Sequence, residues 1–210
     1  MGFYAVANGR EIGIFNTWNE CCDKIKGFKN SIYKKFNKIE DAEEFITKNT
    51  EKQDIKIDYC VYTDGACRNN GNQNSQAGIG IYFGENDQRN VSEKVNGIKQ
   101  TNNVAELLAI NRVFYIIEED LKQNKNIVIY SDSIYAINNI RFYATSYELI
   151  NWKKDMPNKE LIKSTYELYK KYINKNIFFR YIKAHTNNKE IHSIGNYNAD
   201  KLANIAIDLI

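Results

Sequence analysis

The sequence predicts an α/β protein: a mixed sheet with helices on its faces, preceded by a small α+β unit. Three observations lead there. The first fifty residues alternate short apolar runs with two amphipathic stretches. From residue 55 onward, strand-like runs come first and β-α-β-α segments follow, an order that builds a mixed sheet with flanking helices. Hydrophobic residues make up 43% and charged residues 26% of the 210, well outside the disordered regime, so a packed core with a small companion is expected.

The elements follow in order. Residues 3–7 form a short apolar strand, Asn8-Gly9 is a two-residue hairpin signal, and 12–15 returns as the second strand. Thr17-Trp18-Asn19-Glu20 has capping-box spacing, so a helix begins at Trp18 and stops near Gly27. Residues 32–36 read as a third strand, and 40–48 as a second helix with Ala42, Phe45 and Ile46 on one face. The expected division is 1–48, a polar linker at 49–55, and 56–210. A core as small as the first unit's is marginal alone.

In the larger unit, residues 57–63, 77–83 and 91–99 read as strands, the last two antiparallel to the first. Residues 102–119 form a helix striped by Leu107, Ile110, Phe114 and Ile117. A short apolar strand at 127–131 precedes a helix at 133–140. A helix at 159–173, a strand at 177–183 and a closing helix at 199–207 complete five strands.

Composition narrows the chemistry. No run of 18 apolar residues exists to span a membrane. The start lacks a signal peptide's apolar stretch and a transit peptide's Arg/Ser bias, and Val6 stands where a myristoylation motif has Ser or Thr, so an intracellular protein is expected. Cys21, Cys22, Cys60 and Cys67 form no C-x-x-C pair, and with His185 and His192 they supply no well-spaced zinc set; reduced thiols are expected. The net charge of +3 is too small to establish nucleic-acid binding. The lysines are concentrated locally, however, at Lys24, Lys26, Lys29, Lys34, Lys35 and Lys38.

Four acids carry the chemical signal. Asp64 and Asp132 each follow a strand, where open α/β sheets bind ligands. Glu106 lies one turn into an apolar helix, and Asp200 lies at the start of the last helix. Acids converging from four elements repel one another unless cations hold them, and an oxygen-only ligand set suits Mg²⁺.

Tyr62-Thr-Asp-Gly-Ala, Gln100-Thr-Asn-Asn-Val-Ala-Glu-Leu, Tyr130-Ser-Asp-Ser and Gly195-Asn-Tyr-Asn-Ala-Asp-Lys-Leu-Ala occur in one order along the larger unit. Tyr4-Ala-Val, Gly9-Arg, Gly13-Ile-Phe, Thr17-Trp-Asn-Glu, Gly27-Phe and Tyr33-Lys-Lys-Phe mark the smaller one. In these motifs the chain resembles type 1 ribonuclease H of the form with an N-terminal hybrid-binding domain. The resemblance implies a ribonuclease H-like five-stranded mixed sheet, preceded by a three-stranded, two-helix hybrid-binding domain. It further implies an endoribonuclease that hydrolyses the RNA strand of RNA–DNA hybrids by two-metal catalysis, leaving 5′-phosphate and 3′-hydroxyl ends.

Carried over by position, Asp64, Glu106, Asp132 and Asp200 match the ligands of two Mg²⁺ ions, with Mn²⁺ as an alternative. His185 matches a loop histidine that serves proton transfer or product release. Asn70, Asn102 and Asn103 match the residues that read the RNA strand and its 2′-hydroxyls. Thr101 and Asn158, with Lys99, match a pocket for a DNA-strand phosphate. Trp18 and Tyr33 match aromatics that pack on DNA sugars, and Lys34 and Lys35 match phosphate contacts. Alternation puts Tyr33 and Lys35 on one face of the strand; Lys34 reaches phosphate from the edge or is simply solvated.

The implied partners are RNA–DNA hybrid and, through the first domain, double-stranded RNA, with no membrane or protein partner. Residues 141–157 depart from the family's basic handle, and Tyr147, Trp152, Lys153 and Lys154 are the candidate stand-ins. The stretch from His185 to Asp200 is long and contains His192 as a rival histidine, while Tyr197 and Asn198 stand where an extra acid often occurs.

Overall fold

The structure, a computed structural model, describes residues 2–50, 56–97, 99–172, 176–184 and 190–208. They fall into two compact units, 1–56 and 57–210. Most of the expected linker therefore lies outside the described residues.

The first unit is β1 (Phe3–Asn8), β2 (Gly13–Phe15), α1 (Trp18–Ile25), β3 (Ile32–Phe36) and α2 (Ile39–Thr50). Its antiparallel sheet has the order β2-β1-β3. Strand alternation sorts β1 onto two faces. Tyr4 and Val6 pack with Cys21 and Ile25 of α1, whereas Phe3, Ala5 and Ala7 pack with Ala42 and Ile46 of α2. The two helices thus cover opposite faces of one sheet. The capping box is complete: Glu20 N donates to Thr17 Oγ1 (3.3 Å), and Thr17 N donates to Glu20 Oε2 (3.0 Å).

Asn8-Gly9 does not make the expected two-residue turn. Asn8 instead pairs with Ile32 of β3 and donates its amide to Asn30 O (2.7 Å), while β2 first pairs at Val6↔Gly13. Arg10 N donates to Lys24 O (2.8 Å), which draws the intervening loop over the end of α1.

The second unit contains β4 (Tyr59–Arg68), β5 (Gln76–Tyr82), β6 (Val91–Lys94), α3 (Asn102–Ile116), α4 (Glu118–Lys122) and β7 (Ile127–Ser131). It continues through α5 (Ile134–Asn138), a π-helical turn (Asn139–Tyr143), α6 (Ala144–Leu149), α7 (Lys159–Lys170), β8 (Ile177–Tyr181) and α8 (Ile191–Asp208). The sheet order is β6-β5-β4-β7-β8, antiparallel from β6 to β4 and parallel from β4 to β8. Val61, Ile81, Ile127 and Ile129 meet Leu107, Ile110 and Phe114 of α3 and Ile162 of α7 in the main core. Tyr62, Val128 and Tyr130 project from the other face and meet Ala199 of α8. Among the described residues no helix is long and apolar enough to cross a membrane, and all four cysteines are free.

Several boundaries differ from expectation. The helix expected at 102–119 breaks at buried Ile117 into α3 and α4. The helix expected to end at 140 continues through the π turn into α6, because Ile137, Ile140 and Ala144 keep a buried stripe on the core. The strand expected over 91–99 stops at Lys94, and Val95 then turns inward, buried. The closing helix begins at Ile191 instead of 199, so Asp200 stands in its middle.

Gly195 is the reason that early start was hidden. Glycine weakens a helix interior, but a Cβ at Gly195 would land in the ring of Tyr62. A matching closeness exists on β5, where a Cβ on Gly80 would strike the carbonyl of Ala199 and one on Gly78 would lie 2.5 Å from Ala203 O. The backbone of α8 therefore rests directly on the sheet.

Because backbone cannot yield as a flexible side chain does, Gly80→Ala should destabilise the second unit by about 3 kcal/mol, the upper end of ordinary overpacking. Gly84, whose added Cβ would meet nothing within 4 Å, is the control, and Gly84→Ala should stay within about 0.5 kcal/mol. Urea unfolding of both variants measures this; a wild-type midpoint for Gly80→Ala would contradict the close approach.

Candidate active site

β4 and β7 run in parallel until Thr63↔Ser131, and the next residues are Asp64 and Asp132. β4 continues beyond that point, held by β5 alone, with Asp64 opposite Gly80. Asp64 is thus within a strand, not after one, and a cleft opens where β7 leaves it. Glu106 enters from α3, whose first turn is set by Val104 N donating to Thr101 Oγ1 (3.2 Å). Gly65 lets α3 come this near, since a Cβ there would strike the backbone nitrogen of Glu106.

Asp64 and Glu106 are 6% and 5% exposed, and one oxygen from each of Asp64, Glu106 and Asp132 lies within 4.8 Å of the others. Asp200 lines the same cleft of about 520 Å³ but stands outside this tight trio. Its Oδ1 accepts from Asn204 Nδ2 (2.9 Å), and Asp132 Oδ2 accepts from Asn196 Nδ2 (3.0 Å).

Burial, then the charges of Asp132 and Asp200, push the Asp64 carboxyl up to about 8, against the pull of the Gly65 N–H. Burial, Asp64 and Asp132 push Glu106 well above the usual carboxylate range. Glu106 Oε2 is buried without a hydrogen-bond partner. Hard oxygen donors, mutual repulsion and an orphaned carboxylate oxygen fit a divalent cation.

Around this centre the expected residues fall unevenly. Asn102 lines the cleft, and its backbone N–H donates to Asn70 Oδ1 (3.3 Å), which ties the β4–β5 loop to the start of α3. Asn103 follows in the first turn, exposed. The Thr101 hydroxyl is engaged as the cap of α3, and Lys99 stands exposed two residues earlier. Asn158, with a left-handed backbone (φ 59°), donates to the hydroxyl of Tyr135 (3.0 Å), which lines the cleft. His185 lies outside the described residues. The described chain reaches the cleft just before it, at Ala184.

Trp152 is not a surface residue. It is 8% exposed and packs between Tyr147 (5.9 Å) and Tyr166 (6.2 Å), whereas Lys153 and Lys154 are exposed. Asn196 and Asn204 were not expected at the site. Their signal is the spacing of four on either side of Asp200, obscured by the misplaced start of α8 and by abundant asparagine elsewhere.

In the first unit Trp18 and Tyr33 are 45% and 44% exposed. Trp18 lies 5.8 Å from the rings of both Tyr4 and Tyr33, and Lys35 Nζ lies 5.3 Å above Tyr4. Lys34 takes the other face, its Nζ 5.4 Å from Phe36, which packs on Phe45 of α2. The aromatic platform therefore has Lys35 beside it and Lys34 behind it.

Residues 56–208 match the RNase H family profile, and residues 2–46 match that of the ribonuclease H1 N-terminal domain. Ribonuclease H of Schizosaccharomyces pombe is 29% identical over 96% of this chain and 95% of its own length. Ribonuclease H of Clostridium botulinum is 35% identical over 70% of this chain and 94% of its own length. A foamy viral protease-reverse transcriptase, solved in complex with RNA/DNA hybrid, shares the fold with a TM-score of 0.56 and 19% identity. That likeness covers 76% of this chain and 22% of the viral one. With its acidic cleft, its mixed sheet and both profiles in register, the chain belongs to the ribonuclease H family.

Proposed function

We propose that this ribonuclease H cleaves the RNA strand of RNA–DNA hybrids at the cleft of Asp64, Glu106 and Asp132, with Asp200 completing a site for two Mg²⁺ ions. The observation that carries this reading is the trio of carboxylates within 4.8 Å, two of them buried and both raised out of the normal acid range. Divalent cations bound there supply neutralising charge and Lewis-acid polarisation for hydrolysis at phosphorus.

The protein's own groups orient and select. Asn196 holds one oxygen of Asp132, and Asn204 holds one of Asp200, which restrains the rotation of both carboxylates beside the cleft. Asn70, Asn102 and Asn103 meet the RNA strand, since an amide both donates to and accepts from a 2′-hydroxyl. Thr101, Asn158 and Lys99 receive a phosphate of the DNA strand, and His185, outside the described residues, serves proton transfer or product release. In the first domain, Tyr4, Trp18 and Tyr33 pack against sugars while Lys35 meets phosphate; a platform without base-edge contacts also accepts double-stranded RNA.

Asp64→Asn, Glu106→Gln and Asp132→Asn should each reduce Mg²⁺-dependent hybrid cleavage at least about a hundredfold while hybrid binding persists. Wild-type turnover in any of them, at saturating Mg²⁺, removes that residue from the site.

Stability gives a separate reading. A carboxyl raised to about 8 in the fold and ordinary when unfolded stabilises the protein at low pH, and that contribution disappears as pH rises through about 8. In EDTA the melting temperature of wild type should therefore fall from about pH 6 to pH 8, and Mg²⁺ should restore it. Asp64→Asn, neutral throughout, should flatten the slope and melt above wild type at the upper end. An unchanged slope in this variant would refute the electrostatic account.

For the first domain, Lys35→Ala should weaken binding of a cleavage-dead protein to hybrid and lower the salt slope by about one ion. Lys34→Ala should do less. Trp18→Ala should weaken binding with the slope intact, because its contribution is packing. Titrations at several salt concentrations separate these; equal effects of Lys34→Ala and Lys35→Ala would contradict the one-faced platform.

A further inference from the structure

On the α8 side of the sheet, Tyr62 and Tyr130 stand directly opposite each other on β4 and β7. Each precedes a metal-site acid by two residues, Asp64 and Asp132, and so lies on the same face of its strand. Their rings stack 5.3 Å apart at 22°. Above them sits His192 of α8, stacked on Tyr130 at 4.3 Å, with its Nδ1 2.9 Å from the Tyr62 hydroxyl and its Nε2 3.2 Å from the Tyr130 hydroxyl. One imidazole thus spans both strands that deliver the catalytic aspartates.

The same helix face continues into the site. His192, Asn196 and Asp200 follow at spacings of four, one above the other. Asn196 donates to Asp132 and is itself 4% exposed, and Asp200 lines the cleft. Gly195 lets the helix settle onto the Tyr62 ring, and beside the Asn196–Asp132 and Ser92–Leu202 hydrogen bonds the imidazole adds a two-pronged polar tie that fixes the rotation and register of its first turns along β4 and β7. A slip of one residue would move Asp200 about 1.5 Å along the axis and turn it about 100° away.

We infer that His192 is a positioning residue that locks α8 to β4 and β7 and thereby sets the places of Asn196, Asp132 and Asp200 around the metal site. The inference rests on the ribonuclease reading proposed above. Arg180 Nη1 donates to the Tyr130 hydroxyl (3.4 Å). With Arg180 donating to it, the Tyr130 hydroxyl donates to Nε2 while Nδ1–H donates to the Tyr62 hydroxyl, an order that needs a neutral ring. Burial, reinforced by Arg180, favours that form, while Glu190 opposes it.

Three variants of the full chain test the lock. His192→Phe keeps a stacking ring and removes both hydrogen bonds, and His192→Gln restores a donor and an acceptor. Tyr62→Phe with Tyr130→Phe removes the partner hydroxyls and leaves His192 in place. The readouts are Mn²⁺ affinity by titration calorimetry, kcat and KM on hybrid with Mg²⁺, and melting temperature.

His192→Phe and the double tyrosine variant should each lose about tenfold in Mn²⁺ affinity and in kcat, the scale for groups that orient metal ligands, with KM within about twofold. His192→Gln should recover most of both. Wild-type Mn²⁺ affinity and kcat in a folded His192→Phe, with or without a lower melting temperature, would overturn the inference. If that variant does not fold, the double tyrosine variant decides by the same criteria. A wild-type protein that binds Mn²⁺ but cleaves no hybrid would instead defeat the ribonuclease reading, and the Mn²⁺ affinities would still judge the lock.

Discussion

Mutual repulsion among three clustered carboxylates, two of them buried, is the constraint to which the second unit answers. Asp64, Glu106 and Asp132 stand within 4.8 Å in a setting that disfavours charge on the first two. Left to themselves such groups would protonate or move apart. They are prevented from separating because each is anchored by a different rigid element: β4 and β7 by parallel pairing, α3 by its cap and its contact at Gly65. Rigid anchoring of this kind stores an unfavourable arrangement that a cation then relieves, and the fold's remaining bulk serves to keep the anchors from giving way.

The amides on α8 belong to the same logic. A carboxylate that ligates through one oxygen must have its other oxygen satisfied, or it rotates. Asn196 and Asn204 do this for Asp132 and Asp200. Neither amide brings charge, so orientation is achieved without weakening the acids' attraction for a cation, which a lysine or arginine at the same place would do.

What could be read from the sequence divides along physical lines. Residues 127–131 match β7 end to end, since a continuous apolar run between polar neighbours leaves little choice of boundary. The Thr17–Glu20 capping box was equally legible, because its chemistry is local. All four acids were legible as candidates, but the company they keep was not. That Asp200 stands mid-helix depends on Gly195 lying under Tyr62, a contact between residues far apart in sequence. Trp152 carried no local mark of burial: its left-handed backbone and its place beside Tyr166 come from tertiary packing. Asn8-Gly9 shows the reverse, a strong local turn signal overruled because β3 claims Asn8.

The close seating of α8 has a consequence for synthesis. Among the described elements α8 is the last to leave the ribosome, and the sheet it rests on is complete in sequence before it. Until it emerges, the bare glycine surface of β5 and the rings of Tyr62 and Tyr130 have no cover, while Asp132 lacks Asn196 and the cleft lacks Asp200. A nascent chain therefore carries an unfinished acidic cleft. The cleft is complete only once that one helix has docked on the sheet.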